Sequence, residues 1–379
     1  MTKNDTKPSA KKPRIATFDL LRGYFLVSII LNHLDWYPSG LDWVAVRGSL
    51  FVSAAEGFFL ISGILLGIVR GRKLIKKPFR TAALLILQRG AVLYITSIVL
   101  MLLFTFVGWH FLGNPGLKPG IRPPEQPLTD IIMGALSFKY LYGWADFLRL
   151  YAIFLFISPL ALWLLRKGCW YIVIAGSVAL WALYPYALAH TTNSAELLMP
   201  LSWQLIFFVG FVIGFHWVDI ETWWNTRSKK TRALILNPIL AVAGMTLIAN
   251  IILAIASGFG GADNEAARFS NTMLSTLFNK DELPILRLLL FGLWFILGFT
   301  FVKRYEKYII QLCGWLLLPF GKNSLYVYTL HAIILFFAHL IITPGTHPGI
   351  FISLASSIAI LGIILLAIHK EFLFKIIPR

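Results

Sequence analysis

The 379 residues are 58% hydrophobic and 13% charged, about half the charged fraction of a soluble globular domain, which excludes a water-soluble fold. Lys and Arg outnumber Asp and Glu by 34 to 17, but the cations are scattered between apolar runs and form no basic domain. The balance therefore speaks against nucleic acid and for the Lys/Arg bias of cytoplasmic loops. Two cysteines, Cys169 and Cys313, exclude a disulfide scaffold. No Cys/His cluster has zinc spacing, so no metal is expected, and there is no glycine-rich phosphate loop.

In chain order, residues 1–14 form a polar basic leader that reads as disordered. Apolar runs long enough to cross about 30 Å of hydrocarbon follow near 15–35, 49–69, 81–107, 147–165, 169–189, 201–218, 233–257, 284–302, 323–343 and 349–369. The first is longer than a signal-peptide core and lacks an A-x-A-like site, so it is kept as a span. Two shorter stretches, Asp130 to Trp144 and Tyr308 to Phe320, read as interfacial or re-entrant helices. The expected fold is an all-α polytopic membrane bundle of about ten transmembrane helices, with one domain over 15–369 and a tail over 370–379. The loops of substance are 35–48, 108–128, 190–200 and 258–283.

With these spans, 24 of the 34 basic residues fall on one side, eight on the other, and Arg22 and Arg89 lie within spans. The asymmetry places both termini in the cytoplasm. Six of the 24 crowd the segment from Arg70 to Arg80, which serves topology and can also attract phosphates.

Ionisable groups inside spans are costly and mark sites by default. Arg22 and His33 in FDLLRGYFLVSIILNHL share one helical face about 16 Å apart, with Asn32 and Asp35 beside His33. The alternative is a snorkelling arginine and an interfacial histidine. In VSAAEGFFLISGILLG, Glu56 shares a stripe with Gly63 and Gly67. Small residues four apart admit close helix approach, and the stripe aims Glu56 inward, where it can orient an imidazole or simply bond a neighbouring helix. In FGKNSLYVYTLHAI, Ser324, Tyr328 and His331 share a face with Asn323 adjacent, a polar seam that equally suits helix packing. Weaker candidates are Arg89 with Gln88, Asp146 with Arg149, which can pair at i,i+3, and Gln204 with Trp203. The thirteen tryptophans suit interfacial belts.

The motifs FDLLRG followed by Asn32 and His33, SAAEGFFLISG, ADFLRLY with Pro159 beyond it, SWQLIFFVG and GKNSLYVYTLH resemble the OpgC family of integral membrane proteins. That family is linked with succinyl transfer onto osmoregulated periplasmic glucans and is related to the type-three transmembrane acyltransferases. The resemblance implies an acyl-transfer site at Arg22 and His33 and a late-span pair at Ser324 and His331. Asn32 stands where OpgC-like sequences often carry an acid, which leaves Glu56 or Asp35 as the carboxylate. A bacterial inner-membrane O-acyltransferase is implied, moving succinyl or acetyl from cytoplasmic acyl-CoA to a glycan hydroxyl outside, with no tightly bound cofactor. His33 would be general base or transient acyl carrier with Glu56 behind it. Arg22, Arg89, Asn323, Ser324 and His331 would hold the donor, and Asp35, Asp146, Arg149 and Gln204 the acceptor. A proton-coupled transporter also suits buried Arg, His and Glu, but it predicts two related halves, and none is visible. A non-enzymatic scaffold is the third class.

Overall fold

The computed structural model describes residues 15–190, 195–374 and 377. The leader lies outside the described residues, as do 191–194 of the expected loop at 190–200. The chain runs through α1 (Ala16–Leu34), α2 (Asp42–Ala45), α3 (Ala54–Leu66), α4 (Phe79–Gly108), α5 (Leu128–Leu136), α6 (Asp146–Arg166), α7 (Trp170–Ala182) and α8 (Tyr184–His190). It continues through α9 (Ala195–Phe215), α10 (Trp217–Asn225), α11 (Lys229–Ala256), α12 (Glu265–Ser275), α13 (Ile285–Arg304), α14 (Glu306–Lys322), α15 (Ser324–Ile341) and α16 (Ile350–His369). No strand occurs among the described residues.

Nine helical segments among the described residues are long and apolar enough to cross a membrane: α3 with its extension to Arg72, α4 with its extension to Phe111, α6, α7 with α8, α9, α11, α13, α15 and α16. The tenth predicted span is α1. It has the length, at 19 residues, but Asp19, Arg22, Asn32 and His33 dilute its apolar character. It tolerates them by packing against α3, α13, α14 and α15, so that Asp19, Arg22 and Ser28 are buried in protein. Around this centre the helices grade outward. In α3, 72% of the apolar window is buried, against 11% in α13, whose remaining surface suits lipid.

Several predicted boundaries shift for local reasons. The span at 169–189 breaks into α7 and α8 at Leu183, two residues before Pro185, whose ring cannot continue the preceding helix. The interfacial stretch from Asp130 is helical only to Leu136, because Phe138 and Gly143 take positive φ and turn the chain. The expected loop at 258–283 contains α12, started by Asn264, whose side chain accepts from the Ala267 N–H. The expected tail folds back, and the Phe372 carbonyl accepts from the Tyr326 hydroxyl at 2.7 Å.

The stretch at Tyr308–Phe320, expected to be interfacial or re-entrant, packs inside the bundle, as the re-entrant alternative requires. It belongs to α14, which packs along α1: Thr17 donates to Glu306 at its start, and Gly321 abuts the Asp19 backbone at its end. Both ends of α14 therefore lie beside the first turns of α1, so it does not cross to the opposite face.

The predicted small-residue stripe of α3 is matched by one on α9. Gly63 and Gly67 lie on the backbone of Phe207 and Phe211, while Gly210 and Gly214 lie on that of Leu60 and Ile64. A side chain at any of these four points would meet main chain, which cannot yield. Gly63→Val is expected to destabilise by about 1–3 kcal/mol or more, read as a lowered thermal unfolding midpoint in detergent. An unchanged midpoint would show that the helices are not in backbone contact.

Side-chain bonds, most of them to backbone carbonyls, tie the helix ends into two groups. At the basic end, Arg166 donates to Lys77 and Leu74 carbonyls and Arg72 pairs with Asp219 at 3.0 Å. At the other end, Trp36 donates to Ile342, Asn114 to Leu340 and Ser49 to Phe259.

Candidate functional site: two cavities along the first helix

Two cavities meet opposite ends of α1. The larger, about 1240 Å³, opens at the basic end and is lined by Arg22, Arg70, Arg72, Lys73, Arg89 and Lys322, against two acids, Asp19 and Glu221. Ser62, Tyr151, Asn323 and Ser324 also face it. The segment after α3 supplies the cluster: Gly67–Arg72 forms a π-helical turn, the kind of distortion that often marks a functional position. Gly67 and Gly71 seat this turn against Phe211 and Phe215, and its basic residues line the cavity. Arg22 is buried with its guanidinium 5.2 Å from the centre of the Phe58 ring, a cation–π placement. Of the five residues expected to hold the donor, Arg22, Arg89, Asn323 and Ser324 share this cavity; His331 does not.

The smaller cavity, about 340 Å³, lies at the other end and is lined by Asn32, His33, Ser53, Asp146, Phe147, Phe278, Lys280, Arg287 and Tyr328 among others. His33 stacks on Trp144 with centroids 4.1 Å apart and planes at 24°. Its Nδ1 lies 3.3 Å from Nε2 of His331, whose own Nδ1 lies 2.5 Å from the Tyr328 carbonyl oxygen. Lys118 caps the opposite face of this group, its Nζ 3.9 Å from the Trp144 ring centre. His331 thus belongs to the histidine end of the molecule, because seven residues carry α15 about 10 Å beyond Ser324.

The other predicted residues divide. Asp146 lines the smaller cavity with His33. Glu56 is fully buried and is not hydrogen-bonded to His33. Its Oε1 accepts from Arg287 Nε at 2.7 Å, with a second contact from the guanidinium, and its Oε2 accepts from the Ser53 N–H at 3.1 Å and from the Ser53 hydroxyl. The expected orienting of His33 is replaced by an ion pair between α3 and α13 and a capping box that starts α3. Arg149 is buried in α6 and lines neither cavity. Gln204 also lines neither, since its amide donates to the Ser177 carbonyl at 2.7 Å and fastens α9 to α7. Asp35 caps the end of α1, its carbonyl accepting from Gly345 at 3.0 Å.

Sequence reading missed Arg287, Lys280, Phe278 and Trp144. For Arg287 a signal existed: it is a lone cation entering the run ILRLLLFGLWF, and Glu56 is the acid that needs one. Lys280 and Phe278 reach the cavity because Trp203 donates to the Lys280 carbonyl at 3.1 Å, Ser202 to that of Asp281 at 2.5 Å and Trp181 to that of Leu283 at 2.9 Å. The SWQ motif is therefore architectural: it pins the loop that walls the smaller cavity.

Little protein separates the cavities. On α6, Phe147 faces the smaller and Tyr151 the larger, and on α15 Tyr328 and Ser324 divide the same way. Four residues of helix rise about 6 Å. Phe147 and Tyr328 stack across this partition at 5.0 Å.

Long apolar helices around two polar cavities at opposite ends of α1 define a polytopic helical membrane protein. Residues 14–373 match the model described as OpgC protein, and the chain belongs to that family. No curated protein and no solved structure matches it.

Proposed function

We propose that the protein is a bacterial inner-membrane O-acyltransferase, with both termini cytoplasmic, that moves an acyl group, succinyl or acetyl, from cytoplasmic acyl-CoA to a hydroxyl of a periplasmic glycan. The observation that carries this reading is the pairing of a cationic cavity and a histidine cavity across a partition about one helical turn thick. Family membership supports it. The donor's phosphates suit the six cations of the larger cavity, and its size exceeds the usual range for small ligands, about 300–1,000 Å³, as a long cofactor-like substrate requires. A narrow pantetheine arm can present its thioester at the partition. The acceptor hydroxyl enters beside His33, where Phe147, Phe278 and Tyr328 offer ring faces and Asp146, Lys280 and Asn32 offer polar partners.

His33 then removes the proton of the acceptor hydroxyl as its oxygen attacks the thioester carbonyl. The new C–O ester bond forms, the C–S bond breaks, and the proton passes to the departing thiolate, leaving acylated glycan and free CoA. No resident cofactor takes part.

The test is incubation of the purified full chain with acyl-labelled succinyl-CoA or acetyl-CoA, with and without a glucan acceptor, followed by mass analysis of sugar and protein. Label on a sugar hydroxyl with matching release of CoA is the expected result. Arg22→Gln should raise KM for acyl-CoA roughly tenfold, the weight of one charge-assisted hydrogen bond. Acyl-CoA left intact in the presence of glucans would overturn the reading.

A further inference from the structure

The two facing histidines are not equivalent, and their bonds assign the protons. His331 is fully buried on α15. Its Nδ1 lies 2.5 Å from the Tyr328 carbonyl oxygen, and a carbonyl only accepts, so this nitrogen carries the hydrogen. In a neutral ring the other nitrogen, Nε2, is then a lone-pair acceptor, and it faces Nδ1 of His33 at 3.3 Å. A second proton on His331 would put a cation in a fully buried ring bonded to a backbone carbonyl and another imidazole; Asp146 is the nearby carboxylate that favours such a charge, but it is not hydrogen-bonded to the ring, and burial makes the cation expensive. The hydrogen between the rings therefore belongs to His33 Nδ1.

We infer that His331 is a positioning residue that holds His33 in its Nδ1–H tautomer, so that the Nε2 lone pair is the base offered to the acceptor hydroxyl. This rests on the proposed role of His33. It reassigns His331 from the donor site, where its sequence spacing from Ser324 put it. Free histidine in water favours the opposite tautomer, with the hydrogen on Nε2, which could not accept a proton there. The relay from the Tyr328 carbonyl through His331 to His33 fixes the tautomer as a carboxylate does behind the histidine of a serine hydrolase, though without the carboxylate's charge; there, loss of the correct tautomer costs about 10⁴ in turnover. The backbone of α15 fixes the relay's origin, and Trp144, stacked on the face of His33 at 4.1 Å, hinders the ring flip that would exchange its nitrogens.

The test reads the tautomer itself. In full-length protein labelled with ¹⁵N-histidine, the His33 signals are identified by their loss in His33→Ala. At neutral pH they should show a protonated Nδ1 and an unprotonated Nε2. In His331→Phe, which keeps a ring but has no acceptor, His33 should revert to the Nε2–H form. There kcat for acyl transfer should fall at least about a hundredfold, with KM for acyl-CoA unchanged. His331→Gln, whose side-chain oxygen can accept from His33, should restore kcat to within about tenfold of wild type. An Nε2–H His33 in the wild-type protein, or a His331→Phe protein with unchanged tautomer and turnover, overturns the assignment. If the spectra show the Nδ1–H form while no glucan is acylated, the tautomer assignment stands and the proposed reaction falls.

Discussion

His33→Ala protein is expected to fold and to lose glycan acylation by about 10²- to 10⁴-fold, the range that a positioned general base contributes. The side chain lines the smaller cavity and is only partly buried, so truncation removes the stack on Trp144 and the bond to His331 without opening the core. The loss should appear in kcat with little change in KM for acyl-CoA, because the donor's phosphates are assigned to the cavity at the other end of α1. Retained acyl-CoA binding beside lost transfer, measured on the same preparation, checks both halves of the expectation. Full activity in His33→Ala would remove the chemistry from this cavity altogether.

The second large effect concerns stability. Glu56 and Arg287 are 0% and 3% exposed and bonded to each other, an ion pair inside the bundle that joins α3 to α13. Arg287→Met leaves the carboxylate buried without its counter-charge, which typically costs about 3–5 kcal/mol. The variant should show a sharply lower unfolding midpoint in detergent and poor yield. Combining it with Glu56→Gln removes the charge while keeping a residue that can close the capping box with Ser53, and should recover most of the loss. A double variant no better than Arg287→Met alone would mean that the guanidinium stabilises chiefly through its other bond, to the Phe278 carbonyl at 2.6 Å. In that case the loop that walls the smaller cavity, and with it activity, should suffer before the bundle does.

Much of this architecture is legible in the residues. The apolar runs are long, and in a bilayer length and apolarity nearly suffice to specify a helix, because every backbone polar group must be satisfied internally. The grouping of basic residues orders the ends, and side-chain bonds such as Arg166 to Lys77 and Leu74 join segments that the count puts on one side. Arg22 and Arg89 stand out as the basic residues inside spans, and Ser324 with Asn323 as part of a polar seam on one helix, and all four line one cavity. Less legible were segments whose shape depends on contacts distant in the chain. By length α14 reads as interfacial or re-entrant, and only the backbone contacts of Asp19 and Gly23 with it decide between the two. Gln204 reads as a ligand and is a fastener between α7 and α9.

The sequence by itself determined the class of protein, the helices, the separation into a basic and a less basic end, and the placing of Arg22 and His33 on one face of the first helix. These follow from spacing along a single helix and from the cost of exposing polar groups to hydrocarbon. Only the tertiary structure decided who partners whom: Glu56 with Arg287, His33 with His331 and Trp144, and Asp146 with the histidine cavity. Those pairings depend on the order in which helices pack. In a membrane the apolar faces that meet are chemically alike and no different from lipid, so packing order rests on close shape fit, small residues and a few hydrogen bonds, features that a single sequence does not map onto one another.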